Sequence, residues 1–254
     1  MTAIEYRGVC KSFAGGDGYA VDHVTARVEE GEFVTILGSS GCGKTTLLKM
    51  TNRLCEPDEG TILLFGEDTA GQDRIALRRG IGYVIQQTGL FPHMTVEENI
   101  SIVPGLLGWE REKIRLRTRE LTELVGLDPD VFCRRYPAQL SGGQQQRVGL
   151  ARALAAGPRV MLLDEPFGAI DAITRLNLQN ELLRIHGQTG GTYLLVTHDI
   201  NEAFKLGDRV MVMDGGKLLQ FGTPGEIAGA PADPFVESLI SSAREQERFW
   251  EEKT

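Results

Sequence analysis

The stretch FVTILGSSGCGKTTLLKM, Phe33 to Met50, decides the fold. Its first part, FVTILG (residues 33–38), is an almost continuous apolar run ending in glycine, the pattern of a parallel strand buried on both faces. GSSGCGKT then fits G-x-x-x-x-G-K-S/T with Gly38, Gly43, Lys44 and Thr45, and the helical TLLKMTNRL (46–54) follows until the turn residues of EPDEG stop it. Strand, glycine loop and helix in that order make a phosphate cradle. Backbone N–H groups wrap the phosphate oxygens, Lys44 adds a point charge for the terminal phosphates, and Thr45 offers a hydroxyl to Mg2+. A dinucleotide site is a poor rival, because its loop wants G-x-G-x-x-G and has no use for Lys-Thr.

Upstream, AIEYRGV and HVTARV alternate apolar and polar side chains, as in a sheet with one wet face. Downstream, TILLF and IGYVI read as strands, and the composition turns helical from about Thr95 to Ala156. Thr95 and Glu98 are spaced as a capping box. Two buried-type strands follow, RVMLLDEP and TYLLVTHD, separated by the helix AITRLNLQNELLRIH. Strands alternating with helices imply a parallel α/β sheet, with the helical stretch as an inserted subdomain. The tail SSAREQERFWEEKT is charge-rich and reads as a frayed helix or a solvated end.

Asp164 ends a buried strand, where open α/β sheets bind ligands; it can hold the Mg2+ shell while Glu165 orients or activates a water. His198 ends the next buried strand; a lone histidine is more often a satisfied structural residue, and its place at the same sheet edge as Asp164 raises the weight of a functional role. LSGGQQQRVGLARAL places Gly142 and Gly143 at a helix start, with Ser141 as cap and Val148, Ala151 and Leu154 as the apolar face. That start can hold a second phosphate, or it is a glycine turn before a packed helix; the residues alone leave both open.

The chain has 254 residues, 41% of them hydrophobic, enough to bury a real core. Its 27 Lys and Arg against 35 Asp and Glu give a net charge of −8, which disfavours a nucleic-acid partner. Apolar runs such as ISIVPGLLGW are too short and interrupted to cross a bilayer, and MTAIEYRGV lacks a secretion signal, so a soluble cytoplasmic chain is expected. Cys10, Cys42, Cys55 and Cys133 are too scattered for a metal knuckle and too few for a disulfide scaffold, and read as reduced thiols.

Taken together these stretches resemble the ATP-binding cassette ATPases that power membrane transporters, over about Ile4 to Leu239. GSSGCGKT looks like the Walker A loop, VIQQ carries the Q-loop glutamine at Gln86, and LSGGQ is the signature. VMLLDE looks like Walker B, GAID resembles the D-loop with Asp171, although Ile170 replaces the usual leucine, and THD carries the switch histidine. The resemblance implies an α/β P-loop cassette over residues 3–239, with a parallel-sheet core, an N-terminal antiparallel β subdomain, a helical subdomain at roughly 88–156, and a charged tail at 240–254. It implies ATP and Mg2+ as ligands. Nucleotide contacts fall to Gly38, Ser39, Ser40, Gly41, Cys42, Gly43, Lys44, Thr45 and Thr46; Mg2+ ligation to Thr45, Gln86 and Asp164; catalysis to Lys44, Gln86, Glu165 and His198. Phe13 matches the aromatic that stacks on adenine, with Tyr19 as its rival and an edge-strand core role for either as the alternative.

In this family two cassettes meet head to tail, so Ser141, Gly142, Gly143, Gln144 and Asp171 are expected to serve the ATP of a second cassette, here a second copy. QQTGLFPHMTVEENI, RYPAQLSGGQQQR and DEPFGAIDAITR look most like ATPase subunits of importers for quaternary amines such as glycine betaine, choline or carnitine. The implied partners are an integral-membrane permease and, indirectly, an external solute-binding protein, with the cassette peripheral on the inner face of the cell membrane. Larger members of that group continue into paired cystathionine-synthase-like domains, so regulation through such domains is not expected from these residues. The alternatives are a cassette for another small solute (an amino acid, polyamine or anion), a non-transport cassette acting on nucleic acid or ribosomes, and a nucleotide-binding regulator without turnover. The acidic composition counts against the nucleic-acid reading and the intact Glu165 and His198 against the regulator.

Overall fold

The computed structural model describes all residues except 14, 16–17, 87–88, 169 and 252–254, and the side chains of 246–247 and 249–251. The chain divides into two compact units, residues 1–72 with 194–254, and residues 73–193. The first opens with β1 (Thr2–Ser12), β2 (Tyr19–Glu29), β3 (Phe33–Gly38), α1 (Lys44–Thr51), β4 (Glu59–Leu64) and β5 (Glu67–Asp68). The second holds α2 (Arg74–Arg79), β6 (Ile81–Val84), α3 (Val96–Leu106), α4 (Arg111–Leu124), α5 (Pro129–Phe132), α6 (Gly142–Leu154), β7 (Val160–Asp164), α7 (Ala172–Thr189) and the start of β8 (Thr192–Thr197). The first unit closes with α8 (Ile200–Leu206), β9 (Arg209–Asp214), β10 (Lys217–Gly222), α9 (Pro224–Gly229) and α10 (Pro234–Glu251).

In the first unit, β2-β1-β4-β5 form an antiparallel sheet. A second sheet runs β10-β9-β3-β8, with β3 and β9 parallel and β10 antiparallel at the edge. All six residues of β3 are buried, as a continuous apolar run requires. β2, in contrast, alternates buried and exposed positions along Val24–Val28, the signature of a strand with one face to water. Leu37, Val210, Val212, Ile227, Val236 and Ile240 build one apolar cluster. Ile240 is therefore a core residue, and the boundary drawn at 239/240 falls inside α10.

In the second unit the sheet runs β8-β7-β6, with β6 and β7 parallel. The helical stretch read as one block from Thr95 resolves into α3 to α6, and Gly108 and Gly126, both in the left-handed region, separate α3 from α4 and α4 from α5. The predicted capping box is formed: Thr95 Oγ1 accepts from the Glu98 N–H at 3.3 Å and Glu98 Oε2 accepts from the Thr95 N–H at 2.7 Å. No helix among the described residues is long and apolar enough to cross a membrane.

Candidate functional site

The glycine loop joins β3 to α1, which starts two residues earlier than the helix read from the sequence, because Gly43 caps α1 in the left-handed region at φ 101°. A Cβ at Gly43 would lie 2.0 Å from the Ala20 carbonyl oxygen, and one at Gly38 would lie 2.0 Å from that of Met213. Both glycines are thus demanded by backbone that presses on the loop. Gly43 has no side-chain acceptor, so no cap side chain competes for the first-turn N–H groups of α1. Lys44 is buried, and its Nζ donates to the carbonyls of Gly38 at 2.8 Å and Ser39 at 2.7 Å. Ser39 Oγ donates to Asp214 Oδ1 at 2.7 Å, a loop anchor that sequence reasoning missed although Asp214 ends an apolar run. Ser40 and Gly41 are exposed, Cys42 is buried against the lysine at 3.7 Å, and Thr45 and Thr46 are half-buried on the first turn of α1.

His198 is exposed on the segment between β8 and α8. That segment is held by Asp199, which accepts from the Asn201 and Glu202 N–H groups and caps α8. Phe13 is half exposed just past β1, with Lys11 Nζ 5.6 Å from its ring centre, and Tyr19 is exposed at the start of β2.

In the second unit Asp164 is buried at the end of β7, and Glu165 follows in the left-handed region at φ 43°. A glutamate in that conformation is strained by about 1 kcal/mol and is kept by its surroundings. Gln86, just past β6, donates from Nε2 to Glu165 Oε2 at 3.0 Å, so two of the expected catalytic residues meet. Burial, the Asp164 charge and a hydrogen bond to Asp164 push the Tyr83 phenol far above its ordinary value. Tyr83 is a neighbour of the acid that no sequence motif announced.

The signature begins α6. Ser141 Oγ accepts from the Gln144 N–H at 3.3 Å and Gln144 Oε1 accepts from the Ser141 N–H at 3.0 Å, a second capping box. Ser141 and Gly142 are exposed and Val148, Ala151 and Leu154 are buried, so this helix start faces solvent while its far face packs. A Cβ at Gly143 would lie 2.7 Å from the Thr174 methyl, so any larger residue here would have to displace that side chain of α7. Asp171 caps α7 by accepting from the Thr174 N–H at 3.0 Å, and that bond holds its carboxyl below the usual range. Ala169 of the D-loop and Gln87 lie outside the described residues.

In the second unit Gln86 and Asp164 offer an amide oxygen and a carboxylate, and in the first Thr45 offers a hydroxyl; each is a hard oxygen donor of the kind Mg2+ takes.

A family model described as ABC transporter matches residues 21–168. The chain is 50% identical over 249 residues to the osmoprotectant import ATP-binding protein OsmV of Salmonella typhimurium, covering 97% of this chain and 65% of that protein. It is 51% identical over 236 residues to the glycine betaine/carnitine/choline transport ATP-binding protein OpuCA of Bacillus subtilis, covering 93% of this chain and 62% of that one. It thus spans a little under two thirds of the length of these relatives. Among solved structures, the dimeric post-hydrolysis state of the ATP-binding cassette MJ0796 bound to ADP and Pi matches with a TM-score of 0.76 and 35% identity, over 87% of this chain and 98% of that one. With the family model matched over more than half its length and half its residues shared with these relatives, the chain belongs to the ABC transporter family.

Proposed function

We propose that this chain is the ATP-binding and ATP-hydrolysing subunit of a membrane importer of small solutes, and that the solutes are quaternary amines or similar osmoprotectants such as glycine betaine, choline or carnitine. The observation that carries the reading is identity of about one residue in two, over nearly the whole chain, to proteins named for that transport.

In this reading the loop backbone from Gly38 to Gly43 and the Lys44 ammonium hold the β- and γ-phosphates, and Phe13 stacks on adenine. Thr45, Gln86 and Asp164 would hold Mg2+, which supplies neutralisation of phosphate charge when bound. Glu165 takes a proton from the water whose oxygen forms the new bond to the γ-phosphorus; the bond from that phosphorus to the bridging oxygen breaks, leaving ADP and phosphate. Gln86, bonded to Glu165, aims that carboxylate, and His198 contacts the γ-phosphate. Ser141, Gly142, Gly143, Gln144 and Asp171 belong to the ATP of a second copy of the chain.

The permease is read to dock at Phe91, Pro92 and His93. Phe91 is an exposed aromatic beside Gln86 in sequence, and its position is fixed from behind. Buried Asn99 accepts from the Phe91 N–H at 2.8 Å and donates to the carbonyls of Phe91, Met94 and Thr95. The cassette would then lie on the inner face of the cell membrane, receiving solute delivered to the permease by an external binding protein.

The test is to purify the chain with the permease that accompanies it, reconstitute both in liposomes, and measure ATP-driven uptake of labelled glycine betaine, choline and carnitine beside a polyamine and an amino acid. Uptake of a quaternary amine in preference to the others is expected; uptake of only a polyamine or amino acid would overturn the solute class, and absence of any permease would overturn transport.

A further inference from the structure

Three metal-ligating side chains from three neighbouring strands meet on the antiparallel sheet of the first unit. β1 lies between β2 and β4. On one side Cys10 pairs with Glu59 of β4, and on the other its Sγ accepts a hydrogen bond from the His23 N–H of β2 at 3.3 Å. One ligand atom from each of Cys10, His23 and Glu59 lies within 4.8 Å of the other two, and among the described residues no other trio of His, Cys, Asp and Glu does so.

Local irregularities of the sheet converge on this spot. The register of β1 shifts between Val9 and Lys11 against β2 and between Arg7 and Cys10 against β4, so the strand is bulged on both sides at Cys10. His23 is in the left-handed region at φ 48°, a conformation costly for any residue with a Cβ. Bulges re-aim side chains, and strain of this kind persists where the surroundings fix it. His23 is also oriented: its Nδ1 bonds Asp22 Oδ1 at 2.6 Å and its ring meets Tyr19 edge-on at 5.8 Å. A carboxylate on Nδ1 leaves Nε2 to bind, the arrangement that accompanies metal-ligating histidines.

Packing does not explain the trio. Cys10 is buried, but His23 and Glu59 are exposed and contribute nothing to the core. Tetrahedral ligation at about 2.0–2.3 Å separates ligand atoms by about 3.3–3.8 Å, so closure needs only a small movement of two exposed side chains. Thiolate, imidazole and carboxylate together suit a borderline cation and not Mg2+.

We propose that Cys10, His23 and Glu59 form a binding site for a borderline divalent transition cation, zinc foremost, with water in the fourth position. None of its three residues belongs to the phosphate loop, and its occupancy ties β1, β2 and β4 together at the end next to Phe13 and Tyr19.

The test is titration of the purified full chain, without nucleotide or Mg2+, with Zn2+ against a chromophoric chelator and with Co2+ as a spectroscopic probe. One cation per chain and a thiolate-to-cobalt charge-transfer band are expected. Cys10→Ser should abolish the band, and Glu59→Gln and His23→Asn should each weaken Zn2+ binding by about tenfold or more. Asparagine tolerates the left-handed backbone at 23, and Glu59 is exposed, so these two variants decide the matter even if Cys10→Ser fails to fold. Absence of stoichiometric binding, or a band and affinity unchanged in Glu59→Gln and His23→Asn, overturns the proposal.

Discussion

Gln86 Nε2 donates to Glu165 Oε2 at 3.0 Å, joining the segment after β6 to the acid after β7. The carboxylate read as the base is therefore aimed by a neutral amide, which fixes its direction without adding charge. Glu165→Gln keeps the shape and removes the proton acceptor. ATP binding should persist while turnover falls by about 10²–10⁴-fold, and an ATP-bound dimer should accumulate on gel filtration. Turnover at the wild-type rate would remove Glu165 from the mechanism.

Because Glu165 is at φ 43°, two inactive variants should differ in stability. Glu165→Gly relieves a strain that Glu165→Ala retains, so the glycine variant should be more stable to urea by about 1 kcal/mol. Equal unfolding midpoints would mean the backbone there relaxes freely.

Lys44→Ala should weaken ATP binding by about tenfold or more, because the loop loses its only side-chain charge toward phosphate. Equilibrium binding of labelled ATP measures it, and wild-type affinity would refute the assignment of the loop.

The solvent-facing start of α6 can be tested across subunits. A dimer of one Lys44→Ala and one Ser141→Arg subunit, isolated with two tags, has one site carrying both defects and one carrying neither. If the signature serves the partner's nucleotide, the mixed dimer should occlude one ATP while each homodimer occludes none. Correctly assembled mixed dimers that occlude no ATP would leave Ser141 with its capping role alone.

Asp58 offers a pH test beside Phe13. It accepts from Lys11 Nζ at 2.6 Å and from the Ser12 N–H at 2.7 Å, and these bonds hold its carboxyl down to about 2 from an ordinary 3.8. The folded chain therefore binds this proton more weakly than the unfolded chain. Its stabilisation is full above about pH 4 and fades as pH falls toward about 2. Urea midpoints of the wild type should exceed those of Asp58→Asn at about pH 6, and the gap should narrow by about pH 3. A gap that widens on acidification would contradict the bonds described.

The buried strands β3, β7 and β8 were legible because each is a short apolar run with a ligand-type residue at or just past its end. The Thr95–Glu98 capping box was spaced visibly in the chain, whereas Gln144 as the return partner of Ser141 went unread. The hairpin of β9 and β10 went unread, although RVMVMDGGKLLQFG is an apolar run followed by a Gly-Gly turn. Asp214 on Ser39 and Tyr83 on Asp164 were not legible, since each pairing depends on how distant strands fold back, and Asn99 behind Phe91 depends on the path of an irregular loop that carries no spacing rule. Cys10, His23 and Glu59 are the same case: strand register, which no linear spacing reveals, makes them neighbours.

The loop lysine carries a last consequence. Lys44 Nζ donates to the carbonyls of Gly38 and Ser39 within its own loop, so this side chain braces the turn as well as charging it. The shape of the loop and its positive charge thus rest on one residue.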